Sequence, residues 1–246
     1  MTSPQPLSGR PVRPHHTAAV VSQEWLTPAM VRVVFDVPLD APELFADSYV
    51  KLLFDGVQRA YTIRSLEGAR MTIDFVVHGD EGLAGPWAAN AVPGDILEFV
   101  GPGGEWSPRP DADWHLFIGD ESALPAIASG LELMPTGSKA LVFAEVGAAE
   151  QEYPLAAGDV TWVHRDGAEY GEKLVAAVLA ATLPQGDAEV FLHGNAEMVR
   201  PLRRYLLGEL GVPRQHLSVS GYWRAGHTDE AWRASKREFN AQMEQD

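Results

Sequence analysis

The first half of the chain is a succession of short runs broken by Gly, Pro and Asp: "HTAAVVSQEWLTPAMVRVVFDV", "YVKLLFD", "AYTIRSL", "MTIDFVVHG" and "DILEFVGP". Such runs, alternating apolar with polar positions, mark half-buried strands. Several at this spacing, with one longer excursion at "DEGLAGPWAANAVPGD", predict a small antiparallel β-barrel over residues 1–112. The rhythm changes at "DADWHLFIGDESALPAIASGLELM", where an apolar strand ending in "GD" runs into a helical pattern. Strands "KALVFAEV", "DVTWVHR", "AEVFLHG" and "HLSVSGYW" then share the chain with helical patterns at "GEKLVAAVLAA" and "NAEMVRPLRRYLLGEL". Near-continuous apolar strands alternating with helices imply a parallel sheet covered on both faces, so an α/β domain is expected over residues 113–246. The tail "TDEAWRASKREFNAQMEQD" reads as a polar helix with Thr228 as N-cap and with Trp232 and Phe239 on one face.

Composition narrows the chemistry. The 246 residues are 46% hydrophobic and 22% charged, enough for two domains with cores of their own. There is no cysteine, which excludes disulfides, thiolate metal sites, iron–sulfur clusters and cysteine nucleophiles; any redox chemistry must come from a bound cofactor. The start "MTSPQPLSGRPVRPHH" lacks a signal-peptide apolar run and no stretch approaches a bilayer span, so a cytoplasmic protein with no membrane insertion is expected. A net charge of -15 argues against nucleic acid as a partner. An anionic ligand needs a local basic site against that field. The eight histidines include one close pair, His15 and His16, and no metal-ligand cluster or catalytic triad stands out.

The stretch "RAYTIRSL", residues 59–66, supplies such a site. Strand alternation puts Arg59, Tyr61 and Ile63 on one face and Thr62 and Arg64 on the other. An arginine suits a diphosphate, a tyrosine a flat ring and a threonine a ring heteroatom, and a flavin dinucleotide offers all three. An ordinary half-buried strand with solvated arginines has the same residues. In the second half, "IGDESALPAI" lies where a first parallel strand feeds a helix, the place at which α/β sheets bind nucleotides. It lacks the GxGxxG fingerprint, and Asp120 and Glu121 make it a poor diphosphate cradle. Glu145, His164 and Arg165 at later strand ends are the candidates for NADPH or NADH; Arg165 either meets a 2'-phosphate, favouring NADPH, or is a solvated loop residue.

Five motifs in one order, "RAYTIR", "DFVVHGDEGLAGPWAANAVPGD", "GPGGEWSP", "IGDESALPAI" and "GYWRAG", together resemble the siderophore-interacting protein family, which reduces ferric siderophores with FAD on a ferredoxin reductase-like fold. The resemblance runs from about Val20 to Thr228. It implies that Arg59 clasps the FAD diphosphate, Tyr61 stacks on the isoalloxazine and Thr62 lies near the reactive N5, with Arg64 as a second arginine. His78, Gly79, Gly82, Ala84, Gly85 and Trp87 fall in the phosphate loop. Here the chain departs from its relatives: they typically show "GPASRWA", while this chain has "GLAGPWA", with Gly85 in the serine place and Pro86 after it. The resemblance turns Ser122, otherwise a helix N-cap, toward flavin and nicotinamide. It sets Lys51 and Arg224 around the ferric siderophore, with Arg233 and Lys236 as weaker additions. The implied activity is FAD-dependent reduction of ferric siderophores by NADPH or NADH, with no protein acid or nucleophile. The alternatives are a flavin-containing siderophore-binding protein served by ferredoxin, or a generic flavin reductase. The tail helix either covers the nicotinamide site or simply packs on the α/β domain.

Overall fold

The computed structural model describes residues 15–39, 43–78 and 82–244. The first sheet contains β1 (His15–Thr27), β2 (Met30–Asp36), β3 (Tyr49–Phe54), β4 (Val57–Thr62), β5 (Ser65–Glu67), β6 (Arg70–Val76) and β7 (Ile96–Gly103). Its order is β4-β3-β7-β1-β2-β6-β5, and every pairing is antiparallel. The two edge strands are consecutive in the chain. Only Ile63 and Arg64 separate them; the Ile63 N–H donates to Ser48 O (2.7 Å) and the Arg64 N–H to Thr72 O (2.9 Å), so the sheet curls back on itself as a barrel. The run "AYTIRSL" is therefore two strands with a corner, where the pattern alone reads one. Asp55 and Gly56, both at positive φ (47° and 80°), make the tight turn from β3 to β4. The excursion after β6 holds a short helix, α1 (Ala84–Asn90), and Trp87 on it packs near Phe35, Phe54 and Phe75.

The second sheet is parallel, built of β8 (Trp114–Gly119), β9 (Ala140–Val146), β10 (Asp159–His164), β11 (Ala188–Asn195) and β12 (Leu217–Trp223) in the order β10-β9-β8-β11-β12. The order reverses between β8 and β11, and a ligand crevice in such sheets opens there, at the carboxyl ends of the strands. Helices α3 (Glu172–Ala180), α4 (Ala196–Gly208) and α5 (Asp229–Met243) share a core with one face of this sheet. Helix α2 (Leu124–Leu133) lies with the other face, in a core joined by Met30 of β2 and flanked by Trp106. That second core fastens the barrel to the α/β unit. The tail helix forms as the pattern predicts: the Thr228 hydroxyl accepts from the Ala231 N–H (3.2 Å) and Trp232, Phe239 and Met243 are buried. Gly221 lacks a Cβ because the Trp232 ring lies 3.0 Å from where one would stand. Among the described residues no helix is long and apolar enough to cross a membrane.

A buried carboxylate ties the two units. Asp74 of β6 receives Arg32 bidentately, Nε to Oδ1 at 2.7 Å and Nη2 to Oδ2 at 2.8 Å, and the Tyr153 hydroxyl at 2.5 Å. Burial, then the Asp74 charge, pushes the Tyr153 phenol up and keeps it a donor. Arg64 Nε in turn donates to the Tyr153 oxygen (3.3 Å), its guanidinium forks onto Glu132 of α2 and its carbonyl accepts from Ser129 Oγ (3.1 Å). Tyr153→Phe removes one donor to a buried charge, and is expected to cost about 1.5–3 kcal/mol. Asp74→Asn leaves Arg32 without its counter-charge and is expected to cost about 3 kcal/mol or more. Urea denaturation of both variants checks this; stabilities equal to the parent's would remove the network from the account.

Candidate functional site

Strand β4 is an edge strand, and its register on β3 decides what each side chain faces. Arg59 lies opposite Leu52 and Tyr61 opposite Val50, both buried, whereas Thr62 lies opposite Tyr49 and Ala60 opposite Lys51. Arg59 and Tyr61 therefore share the barrel's inner side, and Thr62 shares the other with Lys51, which is half-buried. Tyr61 lies tilted against Phe75, ring centroids 4.5 Å apart, and burial pushes its hydroxyl pKa up. Arg59 is not solvated. Its Nη1 meets Asp229 Oδ2 (3.2 Å) and Gln58 O (3.1 Å), and its Nη2 meets Glu230 Oε1 (2.8 Å). A guanidinium facing two carboxylates is a donor set equally suited to the two negative groups of a diphosphate, so these residues fit FAD. Arg64 stands apart from this group, in the domain junction.

The loop before α1 is organised by close approach. Gly82 has φ of +83°, Ala84 and Gly85 are buried in the first turn, and a Cβ on Gly85 would stand 3.0 Å from Val76 O. The missing serine hydroxyl thus goes with a helix seated directly on the end of β6. Pro86 has no N–H to lose in a first turn. His78 is exposed after β6, and Gly79 lies outside the described residues. Gly104 of "GPGGEWSP", at φ of +127°, would place a Cβ 2.7 Å from Ser48 Cα, so packing alone requires a glycine there.

The second group sits at the carboxyl edge of the parallel sheet. Asp120 follows β8, is fully buried, and accepts from the Ser122 N–H (2.9 Å), Ser122 Oγ (2.5 Å), the Asn195 N–H (2.7 Å) and Trp223 Nε1 (2.8 Å). Asp120 and Asn195 end the two strands that flank the reversal in order, so this contact spans the crevice. Ser122 serves Asp120; the N-cap position of α2 is Ala123. Glu145 is buried and accepts from the Gly171 N–H (3.0 Å) and Arg165 Nη1 (3.0 Å). Arg165 also gives Nη2 to Glu121 (2.7 Å) and lies 4.1 Å over the Tyr170 ring. It is a clamped cation and not a solvated loop residue. The Asn195 Nδ2 has no partner although buried. His164 pairs outside this group with Glu152 (2.8 Å), and Arg224 pairs with Glu197 (2.7 Å).

The structure thus joins Arg59 with Tyr61, and Ser122 with Asp120 and Glu145 with Arg165. Trp223, Asn195, Tyr170, Asp229 and Glu230 were not foreseen as site residues. Trp223 stood within "GYWRAG" and Asp229 and Glu230 within an acidic first helical turn, but their partners are far away in sequence.

Burial, then the Glu121 charge, raises the Asp120 carboxyl to about 6 against the hydrogen bonds from the Ser122 hydroxyl, Trp223 and the Asn195 backbone. The native state then binds the proton more tightly than the unfolded chain, so this carboxyl's contribution to stability is greatest at low pH and is lost between 3.8 and about 6. Urea titrations at several pH values should show the parent losing stability relative to Asp120→Asn as pH rises through that window. A constant difference would contradict the burial argument.

Comparison with known proteins agrees with this layout. Residues 112–226 match the family model described as siderophore-interacting protein, and residues 55–106 match the siderophore-interacting FAD-binding domain. An uncharacterised protein of Mycobacterium tuberculosis is 39% identical over 92% of this chain and 96% of its own length. Ferric vibriobactin reductase ViuB of Vibrio cholerae is 36% identical over 72% of this chain and 68% of its own. The crystal structure of a siderophore utilization protein from T. fusca superposes with a TM-score of 0.78, at 32% identity over 88% of this chain and 95% of that one. A ferredoxin reductase of carbazole 1,9a-dioxygenase, 21% identical with a TM-score of 0.70 over 85% of this chain and 67% of that one, shares the fold. With the two family models matched one after the other along the chain and relatives of this similarity, the chain belongs to the siderophore-interacting protein family and has the ferredoxin reductase-like fold.

Proposed function

We propose that this chain is an FAD-dependent ferric-siderophore reductase, its barrel (residues 1–112) holding the flavin and its α/β unit (113–246) receiving the electron donor. The observation that carries the reading is Arg59, a guanidinium beside Tyr61 on the inner side of the edge strand β4, occupied by two part-exposed carboxylates of a distant helix turn. Arg59 would bind the diphosphate, Tyr61 would offer its ring to the isoalloxazine, and Thr62 would lie near N5. The N–H groups of the Gly82–Gly85 turn are further diphosphate donors, fewer here because Pro86 has none. When bound, FAD would supply the redox chemistry, exchange of two electrons with the donor and of single electrons with ferric iron. Hard oxygen ligands grip Fe(III) far more tightly than Fe(II), so reduction itself releases the metal. Lys51 and Arg224 would contribute positive charge toward an anionic siderophore complex. A pyridine-nucleotide donor implies a cytoplasmic reaction.

The donor site would be the carboxyl edge around Asp120, Ser122, Glu145 and Arg165, without His164, and Asn195 holds an unused buried donor there. The two carboxylates that hold Arg165 are buried, unlike the part-exposed partners of Arg59, and so are not placed to yield to a 2'-phosphate, which favours NADH over NADPH. The same commitment favours a second reading, in which reduced ferredoxin delivers the electrons. The absorption spectrum of the purified protein, followed anaerobically with NADH, NADPH and reduced ferredoxin in turn, separates these. A yellow protein bleached by NADH and reoxidised by a ferric siderophore is the expected result; bleaching by ferredoxin alone selects the second reading, and a protein that cannot be loaded with FAD ends both. Arg59→Ala is expected to weaken FAD binding by roughly 10- to 100-fold, the worth of a hydrogen bond to a charged group. Tyr61→Ala is expected to cost roughly 2- to 12-fold, the worth of aromatic stacking. Fluorescence titration with FAD checks both. Glu121→Gln, which leaves Arg165 one carboxylate, should lower KM for NADPH relative to NADH.

A further inference from the structure

The tail helix α5 reaches both units of the fold. Its apolar side is fixed: Trp232 is buried against β12, its Nε1 donating to Gly221 O (3.3 Å), and Phe239 packs on Trp232 with ring centroids 5.2 Å apart. Its first turn does something different. Asp229 and Glu230 both meet the guanidinium of Arg59, about 170 residues earlier in the chain, and Arg233 Nη2 donates to Gln58 O (2.7 Å) while its Nε holds Asp229 (2.7 Å). Glu230 is pushed down in pKa by its own backbone N–H and then by Arg59, so it is a carboxylate at neutral pH. Arg59 is also mostly shielded, with 18% of its side chain exposed, which leaves little room for a further anion while both carboxylates stay.

We infer that the first turn of α5 is an internal substitute for the cofactor diphosphate, which must give up Arg59 when the flavin loads, so that flavin binding and docking of the tail helix on the barrel oppose each other. The inference rests on the reading of Arg59 as the diphosphate ligand. Two carboxylates and a diphosphate present the same charge to the same planar fork, and a guanidinium has too few donors in one plane to serve both fully. Holding the arginine in an ion pair also spares the ligand-free protein an uncompensated, largely buried cation beside Tyr61. Because Trp232 and Phe239 anchor the rest of α5 in the α/β core, release is confined to the first turn and the Arg233–Gln58 tether.

Titration of FAD and of riboflavin, which has no phosphate, into the parent and into Asp229→Asn/Glu230→Gln tests the competition by flavin fluorescence. The double variant is expected to bind FAD roughly 10-fold more tightly and riboflavin with unchanged affinity. In hydrogen exchange of the parent, FAD should speed exchange of the amides of residues 229–233. An FAD affinity within twofold of the parent overturns the inference, as does an equal gain for riboflavin, which would mean that the turn merely covers the pocket. Failure of FAD to bind parent and variant alike would instead overturn the reading of Arg59 on which the competition rests.

Discussion

The Asp74 carboxylate is the constraint on which the relation of the two units depends. A charge with no exposed side-chain surface is tolerated only where opposite charge and hydrogen bonds surround it, and Asp74 receives them from Arg32 on the neighbouring strand and Tyr153 in the α/β unit. Tyr153 is buried with the core that joins α2 to β2. Its hydroxyl links Asp74 to Arg64, and the Arg64 guanidinium itself continues to Glu132. A polar network and an apolar core thus fix the same interface, the second supplying area and the first direction. The corner at Ile63 and Arg64 that closes the barrel delivers Arg64 to this interface, which is why the two arginines of "RAYTIR" end on different tasks.

At the carboxyl edge the sheet's order creates a crevice that the chain partly fills itself. In nucleotide-binding sheets of this order a glycine-rich turn usually leaves room for phosphate. Here Asp120 occupies the turn, bridges to the backbone of Asn195 and accepts from Trp223. Two acidic side chains, Glu121 and Glu145, hold the cation Arg165, while Asp120 is held by neutral donors. The Asp120 bridge from the end of β8 to the backbone of Asn195 organises this turn with a side chain, which is how the chain keeps the fold without GxGxxG.

The barrel's open edge is managed by the tail. An exposed edge strand invites unwanted pairing. β4 is shielded by α5, whose Arg233 takes the Gln58 carbonyl and whose acidic turn takes Arg59. Stabilisation of the edge and access to Arg59 are thereby set against each other within one helix turn.

Element type was legible in the sequence because it depends on local spacing. Alternation in "YVKLLF", the apolar runs "WHLFIG" and "ALVFAEV", and the cap and seven-residue spacing of Thr228, Trp232 and Phe239 each specify their own element. The ordered motifs also pointed to the flavin fold and to Arg59 and Tyr61, since strand alternation puts those two on one face without reference to the rest of the chain. What only the tertiary structure decided is which charges meet. Arg59 with Glu230, Arg64 with Glu132, Arg32 and Tyr153 with Asp74, and Trp223 with Asp120 are pairs separated by tens to more than a hundred residues. A charged side chain carries no periodicity that names its partner; the partner is chosen by sheet order, by the barrel's corner and by the seating of α5, all of which follow from burial of apolar surface elsewhere.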